Sequence, residues 1–154
     1  MAQLYMQGAQ DPDSIKSIKA INAGAPKRGI TGYKTVPAGT AIDDQIIVGK
    51  VPSHAIPLPG STIVHENLGA GVTADIGFAE QGPAVLGSAL ALSAAGTKAG
   101  LAAVTTPNMG KTFWQLAGYS ADPRRELTIV ITIKGAATGS AGNVFAHFEY
   151  VVGT

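Results

Sequence analysis

The sequence has 154 residues, of which 45% are hydrophobic, 14% charged and 6% aromatic, with no cysteine and a formal net charge of +1. This length suits one domain able to bury a core without staples, and the missing cysteines exclude disulfides, thiolate metal sites and thiol nucleophiles. The near-neutral balance gives no electrostatic reason for a nucleic-acid partner, the few aromatics argue against base stacking, and so low a charged fraction predicts that part of the surface is covered in use.

Met1 to Asp13 has neither a basic start nor an apolar centre, so no secretory signal is read there. Pro12 interrupts any regular element, and Ile15, Ile18 and Ile21 then recur at a spacing of three, between Lys16 and Lys19. One helical turn and an irregular arm fit this equally. Gly24, Pro26, Gly29 and Gly32 break the next stretch, while Lys16, Lys19, Lys27, Arg28 and Lys34 face only Asp11 and Asp13. The first 40 residues therefore read as an extended basic arm, either solvated or docked on an acidic neighbour. Residues 41–154 read as the folded domain.

Ile42 to Val51 predicts a strand centred on Ile46, Ile47 and Val48 and closed by Pro52. Pro57 and Pro59 restrict His54 to Gly60 to an extended edge or crossing segment. Ser61 to Glu66, the turn at Asn67 to Gly71 and the alternating Val72, Ala74, Ile76 and Phe78 predict a hairpin. Ala84 to Ala95 is the best candidate for a helix, although it lacks a polar face. Gln81 to Thr97 is nearly uncharged, but its glycines, serines and proline are too frequent for a membrane span. Phe113 to Leu116 is a short run for core or interface, and Asp122 and Pro123 turn the chain into the strongest β signal. There Leu127, Ile129, Ile131 and Ile133 share one face of Glu126 to Lys134, opposite Glu126, Thr128, Thr132 and Lys134. A small-residue loop, Gly135 to Gly142, leads to a second alternating run through Val152, and the two runs most simply form an antiparallel pair. The expected fold is all-β: a jelly-roll-like sandwich of seven or eight short strands, with an N-terminal arm and at most one short helix.

Catalytic chemistry has little to build on. His54, His65 and His147 are isolated from one another, and the neighbours His65 and Glu66 point to opposite faces of a strand. His147 and Glu149 share a face of the last strand, where a structural role is the simpler one. Gly110, Lys111 and Thr112 resemble the end of a phosphate loop, but Thr105 stands where its first glycine belongs. Asp43 and Asp44 are too few for a calcium site, and Arg124 with Arg125, able to pair with an acidic neighbour or a phosphate, read first as an exposed turn. No catalytic, cofactor or metal residue is assigned, and no small-molecule substrate or membrane partner is expected.

The run Asp44 to Pro52, followed by Gly60 to Val64, Leu68, Gly69 and the Val72 to Gly77 strand, resembles small structural proteins encoded beside the capsid genes of tailed bacteriophages. Trp114 to Pro123, the Thr128 to Ile133 strand, Gly135 to Ala137 and the run closing at Tyr150 are similar to the C-terminal half of the same group. That group includes head decoration, or cement, proteins. The resemblance implies a β-sandwich made in the host cytoplasm and carried on the outer capsid, often as a trimer, where it bridges subunits of the major capsid protein. A tail or neck component and a carbohydrate- or receptor-binding sandwich are the alternatives. The arm is not covered by this resemblance; its residues Ile15, Lys16, Ile18, Lys19, Ile21, Lys27 and Arg28 are the candidates for anchoring, through apolar grooves and acidic neighbours.

Overall fold

The computed structural model describes residues 3–5, 27–99, 108 and 110–152. Strands β1 (Gln3–Tyr5), β3 (Gln45–Pro52), β9 (Glu126–Lys134), β6 (Thr73–Phe78) and β7 (Gly87–Ala91) lie side by side in that order in one sheet. Strands β2 (Lys27–Val36), β10 (Gly142–Val152), β5 (Thr62–His65) and β8 (Gly96–Ala99) form the other, with β4 (Ala55–Pro57) also paired to β10. The one helix among the described residues is a single turn, α1 (Phe113–Leu116), in which the Thr112 backbone N–H donates to Gln115 Oε1 at 3.0 Å. The protein is an all-β sandwich.

Alternation explains the core. Val144, Ala146, Phe148 and Tyr150 of β10 are buried, while the residues between them face outward. They meet Leu127, Ile129, Ile131 and Ile133 of β9 across one cluster that also takes in Ile30, Ile46, Ile63, Ile76 and Phe78. At one end of the sandwich α1 inserts Phe113 between the sheets. Its ring stands edge-on to Phe78 at 5.6 Å and to Tyr150 at 6.1 Å.

Several expectations are corrected. The last two long strands do not pair: β9 lies between β3 and β6, and β10 has β2 on one side and β4 and β5 on the other. The loop between them crosses from sheet to sheet, because their apolar faces bury each other across the core. The expected hairpin of residues 61–78 is likewise a crossing, with β5 and β6 in different sheets. The expected helix over 84–95 contains β7, an edge strand whose partners on β6 override the Ala/Leu preference. Its irregular register accommodates Ala89 at φ 50°, whose N–H donates to Asp75 Oδ1 at 2.9 Å. β9 is covered on both faces in its middle, since Val130 and Thr132 are buried too. The span read as an arm includes β2, which pairs with β10 from Lys27 to Val36, so sheet residues begin well before residue 41. Gly29 and Gly32 are compatible with this strand because β10 supplies its ladder.

Candidate functional site

Of the seven anchoring candidates, Ile15, Lys16, Ile18, Lys19 and Ile21 lie outside the described residues. Lys27 and Arg28 open β2 and, as strand neighbours, turn to opposite faces. Lys27 Nζ reaches Glu149 Oε1 at 2.6 Å on the outer face of its sheet. Arg28 is paired in register with the inward-facing Tyr150 and points into the mouth between the sheets.

That mouth is a cleft of about 420 Å³ at the end of the sandwich where α1 sits. The ends of β2 and β10 give it Arg28 and Val152; the end of β3 and the turn after it give Pro52 and His54; the segment entering β9 gives Arg124, Arg125 and Glu126. Three arginines and one glutamate thus line it, and Lys50 Nζ lies 3.9 Å from the Glu126 carboxylate. The Arg28 Nε is buried without a hydrogen-bond partner among the described residues.

The turn bearing the other two arginines is pinned from within. Ser53, fully buried, donates its hydroxyl to Asp122 Oδ1, and the Arg124 N–H donates to the same oxygen at 2.8 Å. The Ser53 backbone N–H donates to Arg125 O at 2.9 Å, and Trp114 N–H of α1 donates to Ser53 O at 2.9 Å. The Ser53 hydroxyl, then the Arg124 N–H and the nearby His54 and Arg124 charges, hold the Asp122 carboxyl below its ordinary range against a smaller opposing effect of burial. This network holds Arg124 at φ 50°, a left-handed conformation that costs a non-glycine residue on the order of 1 kcal/mol. Arg125 lies over the Tyr119 ring at 5.9 Å and donates from Nη2 to its hydroxyl at 2.9 Å. From sequence, Arg124 and Arg125 were legible as a charged turn. Nothing in the sequence placed Arg28 and His54 beside them.

The outer face of the β2–β10–β5 sheet has a different character. Tyr33, Phe145 and Val64 stand in one cross-strand row and are 40%, 38% and 44% exposed. Asn143 Oδ1 accepts from the Tyr33 hydroxyl at 2.8 Å and the Thr35 hydroxyl at 2.7 Å. One row further, His147 Nε2 lies 3.2 Å from Glu149 Oε1 and His147 Nδ1 lies 2.9 Å from Thr31 Oγ1. Because a carboxylate only accepts, Nε2 carries the proton and a neutral ring accepts from the Thr31 hydroxyl. Hydroxyl, imidazole and carboxylate are the components of an acyl-transfer triad, but they lie across an open sheet face with Lys27 on the carboxylate, an arrangement suited to fastening β2 to β10. No group of three or more metal-ligating side chains occurs among the described residues.

No protein-family model and no curated protein matches the sequence. Among solved structures the chain is similar to one in the capsid of Ralstonia phage GP4, with a TM-score of 0.59 and 17% identity over 99% of this chain and 99% of that one. It is also similar to a chain in the cyanophage Pam1 capsid asymmetric unit, with a TM-score of 0.58 and 18% identity over 91% of this chain and 96% of that one. Likeness at these identities shows a shared fold. Since the alignments span nearly all of both partners, the matched chains are about as long as this one.

Proposed function

We propose that this protein is a non-enzymatic structural component of a bacteriophage virion, made in the host cytoplasm, that decorates the outer capsid and bridges neighbouring subunits of the major capsid protein. The observation that carries this reading is the end-to-end likeness to similarly sized chains from two phage capsids. The strand order supports the jelly-roll form of the sandwich: with β1 and β4 set aside, the remaining strands run first, eighth, third, sixth in one sheet and second, seventh, fourth, fifth in the other. A low charged fraction and the exposed row of Tyr33, Phe145 and Val64 support self-association, most simply as a trimer. The arm residues Ile15, Lys16, Ile18, Lys19, Ile21, Lys27 and Arg28 remain the proposed anchoring set, with Lys27 also serving the sheet.

The test uses shells assembled from the major capsid protein without this chain. Purified protein added to them should cosediment at a saturable, fixed ratio and raise their disassembly temperature. Protein that stays in the supernatant at micromolar concentration would overturn the decoration role. Tail and neck components are the second reading within the virion class. A carbohydrate-binding sandwich is favoured only by the adjacent exposed Tyr33 and Phe145 rings, and glycan-array binding lost in Phe145→Ala would support it.

A further inference from the structure

We infer that the cleft at the α1 end of the sandwich is a carboxylate-binding site that takes a short acidic segment of a partner protein. On the proposed function that partner is the major capsid protein; the inference rests on that reading for the partner's identity and on the cleft alone for the chemistry.

The charge is local. The whole chain carries a net charge of only +1, yet Arg28, Arg124 and Arg125 converge on one concavity where, among the described residues, Glu126 is the only carboxylate in the lining. A guanidinium presents a planar fork that matches a carboxylate in two parallel hydrogen bonds. The Arg28 Nε is buried without an acceptor among the described residues, so this guanidinium has bonding capacity that the described fold leaves unused.

Part of the site is also held before any ligand arrives. Tyr119 holds the Arg125 guanidinium from its face and by its hydroxyl, and Asp122 holds the Arg124 backbone. At Arg125, less side-chain freedom is then lost on binding than for an arginine waving in solvent. Pro52 and Val152 add apolar wall, suited to the aliphatic stem of a glutamate. A nucleic-acid strand is disfavoured, because it needs a basic track along its backbone, and here the three arginines meet in one concave spot beside Glu126.

The experiment measures fluorescence anisotropy of a labelled hexaglutamate peptide with the full-length protein at low salt. Hexaglutamate should bind, hexaglutamine should not, and added salt should weaken the complex. Arg125→Gln should weaken binding roughly tenfold. Arg124→Gly should do the same while suiting the left-handed backbone at that position, which guards against a folding artefact. Repeated in 0.1 M salt, where the Debye length is about 10 Å, Lys134→Gln, which removes a positive charge at the far end of β9, should leave affinity within about twofold of wild type. Equal binding by the wild type and both arginine variants would overturn the site. So would displacement of the peptide by inorganic phosphate or a DNA oligonucleotide at lower concentrations than by unlabelled hexaglutamate, which would make it a phosphate site. Shell sedimentation separates the two readings: if peptide binds the cleft but wild-type protein ignores shells, decoration fails and the cleft stands. If wild type and Arg125→Gln decorate shells equally, decoration stands and the cleft is not the shell contact.

Discussion

Lys27, the first residue of β2, holds Glu149 of β10 through a 2.6 Å ion pair that ties an edge strand to the centre of its sheet. The Lys27 ammonium, helped by His147, keeps the Glu149 carboxyl below its ordinary range despite partial burial. A carboxyl with a depressed folded-state value contributes stability above its unfolded value, about 4.5, and loses it as pH falls through the folded value. With the side chain of Lys27 well exposed, the contribution is at most about 1 kcal/mol after solvent screening. Thermal melts of wild type and Glu149→Gln should therefore differ most above the unfolded value of about 4.5 and converge as pH falls through the lowered folded value. A gap independent of pH would show that the glutamine variant loses packing rather than charge.

Phe113 fills the space between Phe78 and Tyr150, so removing its ring opens a cavity at the junction of both sheets. Phe113→Ala should cost about 3–5 kcal/mol in urea unfolding. Phe113→Leu, which keeps most of the volume, should cost clearly less. Equal losses would mean that the edge-on ring contacts, not the filled volume, carry the stability.

Gly39 and Gly135 both adopt positive φ, at 82° and 72°, but their surroundings differ. A Cβ on Gly39 meets nothing within 4 Å, whereas one on Gly135 falls 2.4 Å from the Gly71 carbonyl oxygen. Gly39→Ala should cost about 1 kcal/mol from backbone conformation alone. Gly135→Ala adds a backbone clash and should cost roughly 2–4 kcal/mol. The comparison is made by equilibrium denaturation of the two variants side by side.

Phe145 is exposed at the centre of an outer sheet face while its neighbours Val144 and Ala146 are buried. Phe145→Glu should leave the melting temperature within a few degrees of wild type, because cross-strand surface pairs are worth about 0.2–1 kcal/mol. It should also shift the protein towards monomer in sedimentation velocity. An unchanged association state would move the proposed trimer contact away from this face.

Strand positions were largely legible in the sequence and strand partners were not. The Glu126 to Lys134 run matches β9 at both ends, and Pro52 ends β3 as expected, because alternation and proline act locally. Pairing is decided at a distance. β9 followed by β10, and β5 followed by β6, each look like a hairpin to a reader of neighbours, yet each pair faces itself across the core. The Ala/Leu run at β7 shows the same limit, since edge pairing with β6 outweighed helix preference. The cleft was least visible: its arginines come from residues 28, 124 and 125, and only the meeting of β2 with the segment before β9 makes them neighbours.

That long-range pairing also governs how the chain acquires its structure. Thr31 and His147 are 116 positions apart, and every rung between β2 and β10 has a comparable separation. Closing such loops consumes chain entropy before any contact offsets it, so folding on the millisecond-to-second scale is expected. During synthesis β2 emerges long before β10, its long-range partner, and the second sheet can be completed only once the last strand has left the ribosome. Until then β2 presents an open edge to other nascent copies, which makes the interval between synthesis and closure the period of greatest aggregation risk.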